Sequence, residues 1–197
     1  IARALLGCVL LAAVAAPARA QDRRLADRLD SATAASVGAL VDSARAAGLP
    51  TEPLVQKALE GRALGADGAR ITAAVQALAG RLASARDALG GEASDAELTV
   101  AAGAIRSGVS VATIRRLQSL RGGRPLVVPL AVLTDLVAEG VPPDRAGASV
   151  LDLAREGRPD DAYLALRERA QSERRRGRGP AGPPAPTRPA ADAPTPP

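Results

Sequence analysis

Residues 140–157 read GVPPDRAGASVLDLAREG, a short helical segment between two glycines. Gly140 can adopt the left-handed conformation that ends a helix, and Val141 can fold back on the last helical turn. Pro142 suits the start of the next helix. Proline has no backbone N–H, and the N–H groups of a first helical turn have no partner within the helix. Ala146, six residues past the glycine, lies on the next helix. The segment therefore predicts a helix, a corner and a second helix.

The same arrangement occurs four more times. In each unit a helical pattern ends at a glycine, and a residue follows that is apolar in four of the five units. Pro, Asp or Ser comes next. Such units must stack to bury their apolar stripes, so the chain is interpreted as a degenerate helical repeat or a duplicated helical hairpin. Convergence of similar corners in a Gly- and Ala-rich chain is the alternative. The corners begin at Gly48, Gly65, Gly108, Gly140 and Gly157, and the side chains six residues later are Leu54, Ile71, Ile114, Ala146 and Tyr163.

Apolar residues at three- and four-residue spacing predict helices along the rest of the chain, most clearly from Ile71 to Leu89. No stretch shows the two-residue alternation of a strand. Glycines predict loops at 90–91 and 121–125, with a candidate sub-boundary near 90–93. The sequence thus predicts an all-α fold of stacked short helices or helical hairpins with Gly-terminated corners. Helices are expected over residues 22–47, around 54–59, and over 71–89, 94–106, 111–121, 126–139, 144–156 and 160–174.

The first twenty residues, IARALLGCVLLAAVAAPARA, contain the three parts of a secretory signal peptide in order. Arg3 supplies the basic part and residues 5–16 form the apolar part. The small residues Ala18 and Ala20 then mark a cleavage site before Gln21. We therefore expect a cleavable signal peptide over residues 1–20 and a periplasmic or secreted mature chain.

Two other interpretations of this segment remain open. The apolar run is shorter than the roughly 18 residues that span a bilayer, so no transmembrane segment is expected in the mature chain. A buried helix of the fold is the first alternative. The second is a lipid anchor on Cys8, because residues 5–8 read LLGC, although the apolar run follows that cysteine instead of preceding it.

The far end of the chain has a different composition. Residues 174–197 read RRRGRGPAGPPAPTRPAADAPTPP and contain almost nothing apolar enough to bury. This composition predicts a disordered or partly polyproline II tail that is rich in Pro, Ala and Arg. The folded domain is therefore expected over residues 21–173. The whole net charge of +5 lies in the leader and in residues 172–197, and residues 21–171 have no net charge, so the charge does not mark the domain as a nucleic-acid binder.

The residue types that are missing limit the chemistry of the protein. The chain has no His, and its one Cys lies in the predicted leader. Ser–His–Asp and Cys–His nucleophiles are therefore excluded, and the usual zinc ligands are reduced to carboxylates. We expect no catalytic residue, no metal and no cofactor. An alternative to a non-catalytic protein is a hydrolase that uses two carboxylates. The acidic residues, however, fall at predicted helix starts, where they favour the helix dipole.

Residues 99–118, TVAAGAIRSGVSVATIRRLQ, resemble the helix-turn-helix segment of bacterial repressors of the lactose-repressor kind. Ala104 matches the small residue between the two helices, and Gly108 matches the turn. The resemblance implies that Ile114 and Leu117 pack on the first helix. It also implies that Thr113, Arg115 and Arg116 are exposed on a recognition helix that contacts DNA.

An exported protein does not meet the chromosome, so we interpret these arginines differently. Our hypothesis is an exported, non-catalytic helical module that binds a partner or has a structural role. Arg106, Arg115 and Arg116 are the candidate contacts with an anionic partner. That partner would be an anionic envelope component or another protein, and a DNA-binding regulator is the alternative if the chain stays in the cytoplasm.

Overall fold

A computed structural model describes residues 23–177, and all regular secondary structure in this range is helical. The predicted all-α fold is confirmed. A helical turn over residues 23–26 precedes the eight longer helices of the described chain. These are α1 (Ser31–Ala46), α2 (Glu52–Ala63), α3 (Gly68–Leu89), α4 (Asp95–Arg106), α5 (Val111–Arg121), α6 (Val127–Ala138), α7 (Pro143–Arg155) and α8 (Asp160–Arg175).

The helices stack in two layers, because most of them pack on the helix two places further along the chain. One layer contains α1, α3, α5 and α7. In the other layer α4 packs on α6, and α6 packs on α8. The layers meet where consecutive helices pack, most extensively α2 on α3, α3 on α4 and α6 on α7. The predicted stack of short helices is therefore confirmed.

The core consists of small and medium-sized apolar side chains and extends through both layers. α6 is apolar on nearly every side. Of its residues, only Ala138, the last one, is exposed. Small residues allow neighbouring helices to approach closely. A Cβ atom added to Gly147 of α7 would lie 3.1 Å from Cγ2 of Thr113 on α5. A core almost without aromatic residues thus reaches close packing through short distances between helix axes.

All five predicted corners form, and they share one hydrogen-bond pattern. Each glycine has a positive φ, between 67° and 94°. The N–H of the next residue donates to the carbonyl oxygen five residues back, as Val109 does to Ala104 at 3.1 Å, which is the Schellman closure. The five side chains six residues past the glycines are all buried. Each corner therefore directs the next helix into the core.

Polar side chains close the other ends of the helices. The carboxylate of Asp67 accepts a hydrogen bond from the N–H of Arg70 at 2.8 Å, and the hydroxyl of Ser110 accepts one from Thr113 at 3.1 Å. In the sequence each of these two residues lies two positions after a corner glycine, where the next helix is expected to begin. Asp95 and Asp160 likewise lie in the first turns of α4 and α8, where a negative charge interacts favourably with the helix dipole.

The predicted helix over residues 22–47 is wrong, because the structure breaks it before α1. Asp30 caps α1: its Oδ1 accepts from the N–H of Thr33 at 2.9 Å, so the helix starts at Ser31. Leu25 and Leu29 of the preceding segment are nevertheless buried. The segment thus covers the N-terminal end of the stack as a separate turn.

The far end also differs slightly, because α8 continues to Arg175, two residues beyond the expected boundary at 173. The rest of the predicted tail, from 178 onward, and the predicted signal peptide lie outside the described residues. Across the loop at 90–93, α3 and α4 pack directly on each other. Within the described chain, no helix combines the length and the apolar character needed to cross a bilayer.

Two Gly→Ala variants test the corner. Gly140 has φ 92° and Gly38 lies inside α1, and a Cβ atom at either position would meet nothing within 4 Å. Gly140→Ala forces a side chain into the left-handed region, so the free energy of unfolding should fall by about 1–2 kcal/mol. Gly38→Ala favours the helix and should raise it by about 0.5–1 kcal/mol. Urea denaturation measures both, and shifts of equal sign would contradict the role of the corner.

Candidate functional site

α5 differs from the other seven described helices because it contains no acidic residue. Every other helix carries at least one Asp or Glu. Several of them pair a cation with their own acid, as α1 does with Arg45 and Asp42. The positive charge of α5 therefore has no counterpart on the same helix.

Helical spacing divides α5 into an exposed side and a buried side. Ile114 and Leu117 lie on the buried side and are almost completely inaccessible. The exposed residues follow one another at intervals that place them on one stripe. We name this stripe the α5 face, and its residues are Ala112, Arg115, Arg116 and Ser119.

Arg106 is also exposed, but it ends α4 and is separated from the α5 face by the corner at 107–110. Arg115 and Arg116 share one surface, whereas Arg106 belongs to a neighbouring helix end. None of the three side chains forms a hydrogen bond or an ion pair with a described residue. All three guanidinium groups are thus available to an external anion.

Arg121, the last residue of α5, has a different role from Arg115 and Arg116. Its side chain is only 3% exposed, and it forms an ion pair with Asp160 of α8 at 2.7 Å. The same guanidinium donates to the carbonyl oxygen of Pro125 at 2.7 Å. Arg121 lies seven residues after Ile114, so helical spacing places it on the buried side of α5. Composition alone does not distinguish it from the exposed arginines.

A lone tyrosine on the last predicted helix is expected to pack with its hydroxyl at the surface, but Tyr163 does not. The whole residue is buried, and its hydroxyl has no partner among the described residues. The guanidinium of Arg121 lies over the ring, with its Cζ 5.4 Å from the ring centre, which is a cation–π contact. Arg121, Asp160 and Tyr163 thus join the end of α5 to the start of α8.

Other arginines bind carbonyl groups that helix ends leave free. Arg86 donates to the carbonyl oxygen of Gly48 at 2.6 Å, which secures the first corner. Arg124 donates to the carbonyl oxygen of Gly157 at 3.2 Å, at the last corner. These side chains act within the fold, and their planar, permanently charged groups suit this task.

Two carboxylates have lowered pKa values, and both cap helices. The hydroxyl and the N–H of Thr33 donate to Asp30 and lower its pKa. Burial by itself raises the pKa of Glu97, but hydrogen bonds from Ser94 and from the N–H of Leu126 outweigh it and lower the pKa. Both carboxylates therefore stabilise the fold at pH values above about 4, their pKa in the unfolded chain. This stabilisation is lost as the pH falls through their lower pKa values in the folded protein. Neither is suited to act as a general acid near neutral pH.

The remaining acidic residues do not gather into a site. Among residues 23–177, no group of three His, Cys, Asp or Glu side chains is arranged to hold a metal ion. Asp135 and Glu139 instead pair with Arg167 and Arg174 of α8, at 3.4 Å and 2.7 Å. These ion pairs hold α8 against α6.

The helix-turn-helix resemblance is met only in part. Arg115 and Arg116 are exposed as it implies, and Ile114 and Leu117 are buried. Thr113 is half-buried instead, because it faces Gly147 of α7 and its hydroxyl lies 2.9 Å from that of Ser110. α5 makes its main contacts with α3 and α7, which pack beside it in the same layer.

The predicted cleavage residues Ala18, Ala20 and Gln21 lie outside the described residues. The α5 face and Arg106 are therefore the part of the predicted site that the structure describes. Comparison of the chain with protein-family models, curated proteins and solved structures found no match.

Two variants separate the parts of the buried arginine cluster. Tyr163→Phe removes a hydroxyl that has no described partner and keeps the ring under Arg121, so stability should be unchanged or about 1 kcal/mol higher. Arg121→Met removes the hydrogen bonds to Asp160 and Pro125 and should cost about 2 kcal/mol. Thermal and urea unfolding measure both. A large loss of stability in Tyr163→Phe would show that the hydroxyl has a partner.

Proposed function

We propose that the protein is an exported, non-catalytic helical module that binds an anionic envelope component through the α5 face and Arg106. The observation that carries this proposal is the exposed, unpaired pair Arg115 and Arg116 on the one described helix without an acid. Guanidinium groups of this kind are suited to phosphate and carboxylate groups, which they bind through two parallel hydrogen bonds.

A non-catalytic role is supported by the acidic side chains, because several of them have structural contacts within the fold. The chain lacks His, and the carboxylates of Asp30, Asp67 and Glu97 cap helices. Asp160 pairs with a buried arginine. Residues of these types would have to supply acid–base catalysis, and here they hold helices together.

The packing of α5 favours a broad anionic surface over duplex DNA. Packed helix axes are about 8–10 Å apart, so α5 with α3 and α7 beside it forms a layer well over 20 Å wide. The DNA major groove is only about 12 Å wide and admits one helix. A membrane surface or an anionic envelope polymer does not impose this limit.

A double variant tests the α5 face. Arg115→Ala with Arg116→Ala should weaken binding to phosphatidylglycerol vesicles about 30-fold at low salt, since each basic residue near an anionic surface contributes about 1 kcal/mol. Binding should also become less sensitive to salt. Vesicle co-sedimentation at several salt concentrations measures both effects.

The control is Arg23→Ala with Arg169→Ala, which removes the same charge from two other exposed positions. It should reduce vesicle binding much less than the α5 variant does. Equal losses in the two variants would mean that only the net charge matters, and the assignment of the α5 face would then fail. Tight binding of the wild type to duplex DNA, abolished in the α5 variant, would favour the regulator.

The mature N-terminus tests export. The chain, expressed in bacteria with an initiating methionine, should appear in the periplasm or the medium with Gln21 as its first residue. Ala20→Arg places a large charged side chain at the cleavage position, so this variant should keep residues 1–20. N-terminal sequencing of fractionated cells measures the outcome, and an intact chain in the cytoplasm would refute export.

A further inference from the structure

A cavity lies at the N-terminal end of the stack, between the turn at 23–26 and the C-terminal part of α2. Its volume is about 450 Å³. Small-molecule sites in proteins have volumes of about 300–1,000 Å³, so the cavity is large enough for a small ligand. Its lining residues are Arg24, Asp27, Arg28, Leu59, Arg62 and Ala63.

The charges around this cavity are unbalanced. Arg24 is paired with Glu52 through two parallel hydrogen bonds, of 3.1 Å and 2.6 Å. Arg62 uses its Nε to donate to the backbone oxygen of Arg28 at 3.2 Å, which leaves its two terminal nitrogens without a described partner. The guanidinium of Arg28 has no hydrogen bond or ion pair with a described residue. Asp27 is the only acid in the lining, and it forms no ion pair with Arg28 or Arg62, so the cavity keeps one positive charge in excess and two guanidinium groups that are not held by a carboxylate.

The same cavity has an apolar part. Leu59 and Ala63 lie one turn apart on α2 and both line it. Leu64, the next residue, does not line the cavity, but it is 77% exposed, so this end of α2 also presents an apolar side chain to water. An aliphatic group bound in the cavity would therefore contact Leu59, which is partly buried, and Ala63, which is exposed.

We propose that this cavity binds a small organic anion with a carboxylate head and a short aliphatic body. Arg28 and the free nitrogens of Arg62 would hold the carboxylate, as Arg24 holds that of Glu52 a few residues away. Leu59 and Ala63 would contact the aliphatic body. The site shares no residue with the α5 face, so its test is independent of the envelope-binding proposal.

Octanoate is a suitable probe, and isothermal titration calorimetry of the protein isolated from cells measures its binding. Octanoate should bind saturably at one site per chain. 1-Octanol lacks the charge and inorganic phosphate lacks the aliphatic body, so each should bind at least about tenfold more weakly. The comparison separates the two halves of the proposed site.

Arg28→Ala is the decisive variant, because its side chain has no described partner and its loss should leave folding intact. It should weaken octanoate binding about tenfold, the effect of losing one charge-assisted contact, and leave 1-octanol binding unchanged. Leu59→Ala should weaken octanoate and leave phosphate unchanged. Arg115→Ala with Arg116→Ala is the matched control and should bind octanoate like the wild type.

Three results would overturn the proposal. The first is the absence of saturable octanoate binding, and the second is equal binding by wild type and Arg28→Ala. The third is phosphate binding as tight as octanoate binding, which would show that the apolar part of the cavity takes no part. Loss of octanoate binding in the α5 variant would place the anion on the α5 face instead.

Discussion

The left-handed glycine that ends each helix is the constraint on which this fold depends. All eight described helices are followed by a glycine with positive φ, and in five cases the next N–H closes back on the carbonyl five residues earlier. Most of these helices have only 11–16 residues, too few to be stable alone in water. Their stability must come from packing, and the corner brings each apolar stripe to its neighbours.

The corners explain why so much of the fold could be predicted from local sequence. A glycine, the residue after it and the side chain six positions later lie within one short segment, so their geometry is set by nearby atoms. Leu54, Ile114 and Tyr163 were identified in this way, and all are buried. The break at Asp30 was missed because its acceptor role depends on a single side chain in a stretch with good helical spacing.

The candidate site was predictable only to the extent that helical spacing reveals exposure. Arg115 and Arg116 lie between the buried positions of α5, and that pattern is visible in the sequence. The ion pair between Arg121 and Asp160 joins residues 39 positions apart, and no local rule connects them. The cavity at Arg28 and Arg62 was missed for the same reason, since two segments form it only after the chain has folded.

The two-layer stack also bears on how fast the chain folds. Its main packing contacts join helices that are neighbours or next-but-one in chain order, so no early step must bring distant parts of the chain together. Little loop-closure entropy opposes contacts between near neighbours, and helical proteins with mainly such contacts fold in roughly microseconds to milliseconds. The stacking that hides the apolar stripes therefore also shortens the time during which they are exposed to aggregation.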